Sequence, residues 1–108
     1  MEGKKLDDEK NMLQLLSIPA LIGVGWVLTH GAKKYQPRNW EAGILYSRVF
    51  GAILRHLFLW WMKSDIDDDS GLHHLDHAMC ELMFLSHYTK AEHVYGKWDD
   101  RPIAPDPG

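Results

Sequence analysis

Cysteine is almost missing from this chain. Cys80 stands alone, so no internal disulfide can form, and folding in a reducing compartment is expected. Long apolar runs are missing too. The most apolar stretches are interrupted by Gly, His, Arg and Lys and fall short of the roughly 20 residues that a membrane span needs. Met1 to Lys10 is charged and lacks the apolar centre of a signal peptide. The expected location is the cytoplasm, with no membrane partner. Positive charge is not in excess: 12 Lys and Arg against 15 Asp and Glu leave a formal −3, which argues against a nucleic-acid polymer as ligand. No GxxxxGK loop, GxGxxG fingerprint or recognisable Ser-His-Asp context occurs, and there is no internal repeat.

What is present describes an all-α domain. The length of 108 residues suits one domain, and 45% apolar with 25% charged residues is an ordinary globular balance. Residues 1–11 read as a polar lead-in, 12–96 as a single helical domain, and 97–108 as a Pro-rich tail, extended or disordered. Ser17 ahead of Pro19 marks a helix start, and the pattern predicts a first helix over 19–29 ended by Gly31. That helix is apolar nearly all round, so it should be buried or lie in an interface. Gly23 and Gly25 weaken it, which suggests close approach of another backbone. Residues 31–43, GAKKYQPRNWEAG, form a connection in which Pro37 forbids continuous helix. A second helix is predicted over 44–63, with Leu45, Val49, Ile53, His56 and Trp60 on one face, and a third over 72–90. No stretch alternates long enough to demand a strand. A small bundle of three to four helices follows, with the second and third antiparallel, and the surplus apolar surface predicts a homo-oligomer.

Chemistry concentrates in residues 65–77. Asp65, Asp67, Asp68 and Asp69 crowd five positions, where like charges repel unless a cation or a helix N-terminus offsets them. Two readings stand side by side. Asp69 or Ser70 can cap the third helix, or the carboxylates can hold Mg²⁺ or Mn²⁺. An EF-hand is disfavoured, because Ser70 occupies the position of the required glycine. On the helix that follows, His74, His77 and Glu81 share one edge, a set able to bind a transition metal; His73, Asp76, Cys80 and His87 are expected on the more exposed side. His56 lies on the apolar face of the second helix. It is a core residue unless the antiparallel packing brings it to His74 or His77. Arg48 and Arg55 share a face and can grip phosphate. Lys34, Tyr35, Asn39 and Trp40 offer a cation, stacking faces and an amide suited to a nucleotide; alternatively Tyr35 and Trp40 pack inward.

Separated motifs add a resemblance. LLSIPAL leading into GAKKYQPRNW, and RHLFLWW followed by DIDDDSGLHHLDHA, are similar to the dATP/dGTP diphosphohydrolase N-terminal domain family. The similarity covers roughly residues 15–88 and matches at Gly31, Lys34, Tyr35, Asn39, Trp40, Arg55, His56, Asp67, Ser70, Gly71, His74, Leu75, His77 and Ala78. Asp69 stands where Glu is usual, His73 replaces a frequent Pro and Asp76 a small residue. The E-E-x-x-E helix of other all-α pyrophosphohydrolases is absent. The resemblance implies a phage origin and metal-dependent cleavage of a purine deoxynucleoside triphosphate between its α and β phosphates. In that scheme Asp65, Asp67, Asp69, His74 and His77 ligate Mg²⁺ or Mn²⁺, and His56 and Asp67 are catalytic. Lys34, Arg48 and Arg55 meet phosphates, while Tyr35, Asn39 and Trp40 hold the base. A binding module that sequesters a nucleotide signal without turnover is the main alternative. A structural oligomer whose His and Asp residues only cap and pack is the third.

Overall fold

The computed structural model describes residues 9–104, and among these it is an all-α domain of four helices without a strand. A short 3-10 turn, Leu13–Leu15, leads into α1, Ile18–Lys34. As expected, Ser17 caps α1 by accepting the Ala20 amide at 3.3 Å, and Pro19 sits in the first turn. Gly31 does not end the helix. A side chain at Gly31 would meet open space, its φ is not left-handed, and the chain stays helical to Lys34. The stop comes just ahead of Pro37, whose ring disfavours helical geometry in the residue before it.

The connection contains a 3-10 turn, Asn39–Ala42, entered through Arg38 in the left-handed region. α2 spans Tyr46–Trp61. Leu45 at its start has no capping side chain, and Asp100 supplies the cap from 53 residues away, accepting the Ser47 amide at 2.8 Å and the Ser47 hydroxyl. The other end closes with Lys63 left-handed (φ 69°). The Ser64 amide donates to the Leu59 carbonyl and the Lys63 amide to the Trp60 carbonyl, both at 3.0 Å.

A tight reversal then links α2 to α3, His74–Lys90. The Asp67 amide donates to the Leu72 carbonyl and the His74 amide to the Asp65 carbonyl, each at 2.8 Å, with Gly71 left-handed at φ 72°. The cap of α3 is neither Asp69 nor Ser70. His73 takes that position, its Nδ1 accepting the Leu75 amide at 3.1 Å, because the reversal consumes the acidic residues one turn earlier. α4, Glu92–Tyr95, and a 3-10 turn, Gly96–Trp98, complete the described chain.

α3 is the central element, packed by α2 along one side and α1 along another. The apolar core fills the end of the α2–α3 pair nearest α4: Tyr46, Val49, Ile53, Tyr88 and Tyr95 are buried, with Trp40, Phe84, Leu85 and Trp98 packed against them. Residues 97–101, expected as a loose tail, fold back onto this core. Trp98 lies over Gly43, whose φ of 107° and lack of a side chain the contact requires. Cys80 and His74, gripped between neighbouring helices, are buried, so the exposed placement expected for Cys80 is corrected. α1 covers α3 with Val24 and leaves Ile18, Leu21, Ile22 and Trp26 exposed. No helix among the described residues is long and apolar enough to cross a membrane.

Candidate functional site

The opposite end of the α2–α3 pair is polar inside. α2 delivers His56 and α3 delivers His74, His77 and Glu81 onto the same seam, since each lies on the edge its helix turns toward the other. The intervening reversal adds Asp67 and Ser70. His56 Nδ1 meets His74 Nδ1 at 2.8 Å, and both residues are buried. His56 Nε2 lies 3.2 Å from Glu81 Oε1. The His56 and His77 rings stack with centroids 4.6 Å apart and planes 5° off parallel. Ser70 is the hinge of the reversal: its amide (3.1 Å) and hydroxyl (2.8 Å) both donate to Asp67 Oδ2, while its oxygen accepts the Leu72 amide and lies 2.6 Å from His77 Nε2. Asp67 Oδ2 is itself 3.6 Å from His77 Nε2.

Burial sets the charges. It lowers the His56 imidazole to about 4, reinforced by His77 and His74. It also lowers His77, against the pull of Asp67. Burial works to raise the Asp67 carboxyl, but the two hydrogen bonds from Ser70 outweigh it and the group titrates below its ordinary value. Glu81 is pushed up to about 7 by burial, with the Arg55 guanidinium opposing. At neutral pH His56 and His77 are therefore unprotonated beside an ionised Asp67, which is the protonation state metal ligands need. Two sets of donor atoms lie within 4.8 Å of one another: His56, Asp67 and His74; and His56, His77 and Glu81.

Of the residues singled out from the sequence, Asp67, His56, His74 and His77 come together here. Asp65 and Asp69 do not join them. Asp65 contributes its carbonyl to the reversal, and Asp69 is exposed 3.8 Å from Lys34. That contact places the end of α1 at the rim of the site, with Tyr35 outward and Lys34 5.5 Å above its ring. Trp40 turns inward, stacked on Phe84 at 4.7 Å, and its carbonyl accepts the Tyr88 hydroxyl, so its ring belongs to the core rather than to a stacking platform. Asn39 and Arg48 are exposed away from the seam's contacts, while Arg55 is exposed yet acts on Glu81. His30 is not marked by any motif in the sequence, yet it bears on His77 across the α1–α3 contact. Its signal is the four-residue spacing to Lys34, which puts both on one face only when α1 extends past Gly31.

A family model for the dATP/dGTP diphosphohydrolase N-terminal domain matches residues 1–100. The chain belongs to this family. Among curated proteins, a dATP/dGTP diphosphohydrolase of Salmonella phage PMBT28 is 38% identical over 85 residues. The alignment takes in 79% of this chain and 29% of that protein, so the chain spans under a third of its relative's length. No solved structure matches significantly.

Proposed function

We propose that this domain binds dATP or dGTP where α1, α2 and α3 meet, and hydrolyses it to the monophosphate with a divalent metal. The observation that carries the proposal is the grouping of His56, His74 and Asp67 donor atoms within 4.8 Å of one another, with Arg55 acting on His56 and Glu81 and Lys34 at the rim beside Asp69. In the reaction, water attacks the α-phosphorus, the bond from that phosphorus to the bridging oxygen breaks, and pyrophosphate leaves. A bound metal would supply Lewis-acid polarisation of the phosphoryl oxygen and a more acidic water. Lys34 and Arg55 would neutralise phosphate charge, and the exposed Tyr35 ring would meet the base. His56 has both ring nitrogens engaged, with His74 and Glu81, whereas His77 is engaged through Nε2 alone, so His77 is the better group to take the proton from water. The exposed face of α1 would be covered by a second copy of the chain.

A second reading is a domain that binds the nucleotide without turning it over. It is favoured by the 29% coverage, which leaves most of the relative to carry the chemistry of its name. One experiment separates them. The protein is incubated with dATP or dGTP plus Mn²⁺ or Mg²⁺, denatured, and the nucleotide weighed by mass spectrometry. Monophosphate and pyrophosphate support hydrolysis; intact triphosphate co-purifying with the protein supports binding alone; neither outcome removes both readings.

A further inference from the structure

We infer that His56 Nδ1, His74 Nδ1 and Asp67 form a ligand face for a first-row transition ion rather than for Mg²⁺, with Glu81 as the outer carboxylate that sets the His56 tautomer. The inference deepens the proposed function by naming the ion at the same place, and rests on it only for what the ion is used for.

Donor chemistry comes first. Two imidazole nitrogens and one carboxylate suit Mn²⁺, Fe²⁺, Co²⁺, Ni²⁺ or Zn²⁺, whereas Mg²⁺ prefers an all-oxygen shell and keeps most of its waters. The acidic turn would have offered such a shell, but Asp65 and Asp69 point out of the cluster, and only Asp67 enters it.

Orientation comes next. His56 turns Nε2 toward Glu81 at 3.2 Å and Nδ1 toward His74. A carboxylate behind one ring nitrogen keeps the hydrogen there and leaves the other nitrogen's lone pair free, the arrangement that metal-binding histidines use. Asp67 is prepared in the same manner. Its protein partners all fall on Oδ2, two of them from Ser70, so Oδ1 has no hydrogen-bond partner among the described residues. The alternative is a closed chain of hydrogen bonds, with His74 donating to His56 and His56 to Glu81. That chain needs neither Asp67 nor His77 nearby, yet both are present.

The test uses the whole chain after treatment with a chelator. Co²⁺ titration should give visible absorption bands of mixed nitrogen and oxygen ligation at one equivalent, and Mn²⁺, Co²⁺ or Zn²⁺ should raise Tm where millimolar Mg²⁺ does not. His74→Gln should weaken Co²⁺ by about 100-fold or more and Glu81→Gln by about 10- to 100-fold. Asp65→Asn and Asp69→Asn should leave it within about 2-fold, as exposed carboxylates outside the ligand face would. A measurement on the unaltered chain stands even where His74→Gln fails to fold: long-range imidazole NMR spectra with substoichiometric Mn²⁺ should broaden His56, His74 and His77 ahead of His87, at the other end of α3, and His93, on α4. A Tm response to Mg²⁺ equal to that of Co²⁺, equal weakening by Asp65→Asn, or no ion binding at all would overturn the assignment, the last leaving the hydrogen-bonded chain. Ion binding without nucleotide cleavage sinks the hydrolase and not the site. Cleavage with Mg²⁺ alone, without transition-ion binding, sinks the site and not the hydrolase.

Discussion

Tyr88 and Glu81 sit on the same helix and show how placement decides what a polar side chain does. Tyr88 is fully buried, and its hydroxyl donates to the Trp40 carbonyl, tying the connection to the core. Tyr88→Phe should leave that carbonyl without its partner and cost about 1–2 kcal/mol, read by urea unfolding. An unchanged midpoint would mean that water replaces the hydroxyl. Glu81 is pressed by burial up to about 7 from an ordinary 4.5. The folded chain thus holds this proton more tightly than the unfolded chain. Its contribution to stability is complete below about pH 4.5 and is lost as pH rises to about 7. Gln cannot titrate, so Glu81→Gln should gain on the parent between pH 5 and pH 8, on the order of 2 kcal/mol. Urea unfolding of metal-free protein at both pH values checks the sign, and a flat or reversed difference counts against the burial of Glu81. The sequence leaves the meeting of His56 with His74 or His77 as one of two alternatives, because it needs two helices folded back across a short turn, and the packing selects it. The sequence leaves the direction of Trp40 open, since a loop residue has no period from which to read it.

At the scale of elements, the glycines of α1 separate cleanly. A methyl group at Gly23 would overlap the Asp76 carboxylate, so Gly23 makes room for an α3 side chain, whereas Gly25 faces open space. Gly25→Ala should therefore stabilise the protein by about 0.5–1 kcal/mol through helix propensity. Gly23→Ala should lose that gain, and Gly23→Ala with Asp76→Ala should recover it. Thermal unfolding of the three variants decides; equal gains at both sites would show that α1 does not approach α3 as described. Both glycines weaken a helix equally, and their different surroundings are set by Asp76, 53 residues beyond Gly23, so the pattern of α1 alone could not tell them apart. The same distance hides the cap of α2. Asp100 lies in a Pro-rich segment that reads as a tail, and only its contact with Ser47 makes it part of the fold.

At the scale of the molecule, the apolar outer face of α1 sets the expectation of self-association. Trp26 is 60% exposed and Ile18 68%, on a helix with no charged residue before Lys33. Trp26→Glu should shift the protein toward monomer by light scattering across a concentration series, with the Co²⁺ spectrum retained. A parent chain that is monomeric at every concentration would remove the expectation. The sequence by itself determined the all-α class, the three long helices, the Ser17 cap and the family, because these depend on near neighbours, on helical period and on motif spacing. It also singled out residues 65–77 as the candidate place for chemistry. Tertiary structure alone decided which of those residues face one another. Asp67 enters the seam and Asp65 and Asp69 do not, because Ser70 fixes the Asp67 carboxylate while the other two lie on the outside of the reversal. Spacing along a chain sets which side of a helix a residue occupies, but only packing against a second and third helix determines what that side meets.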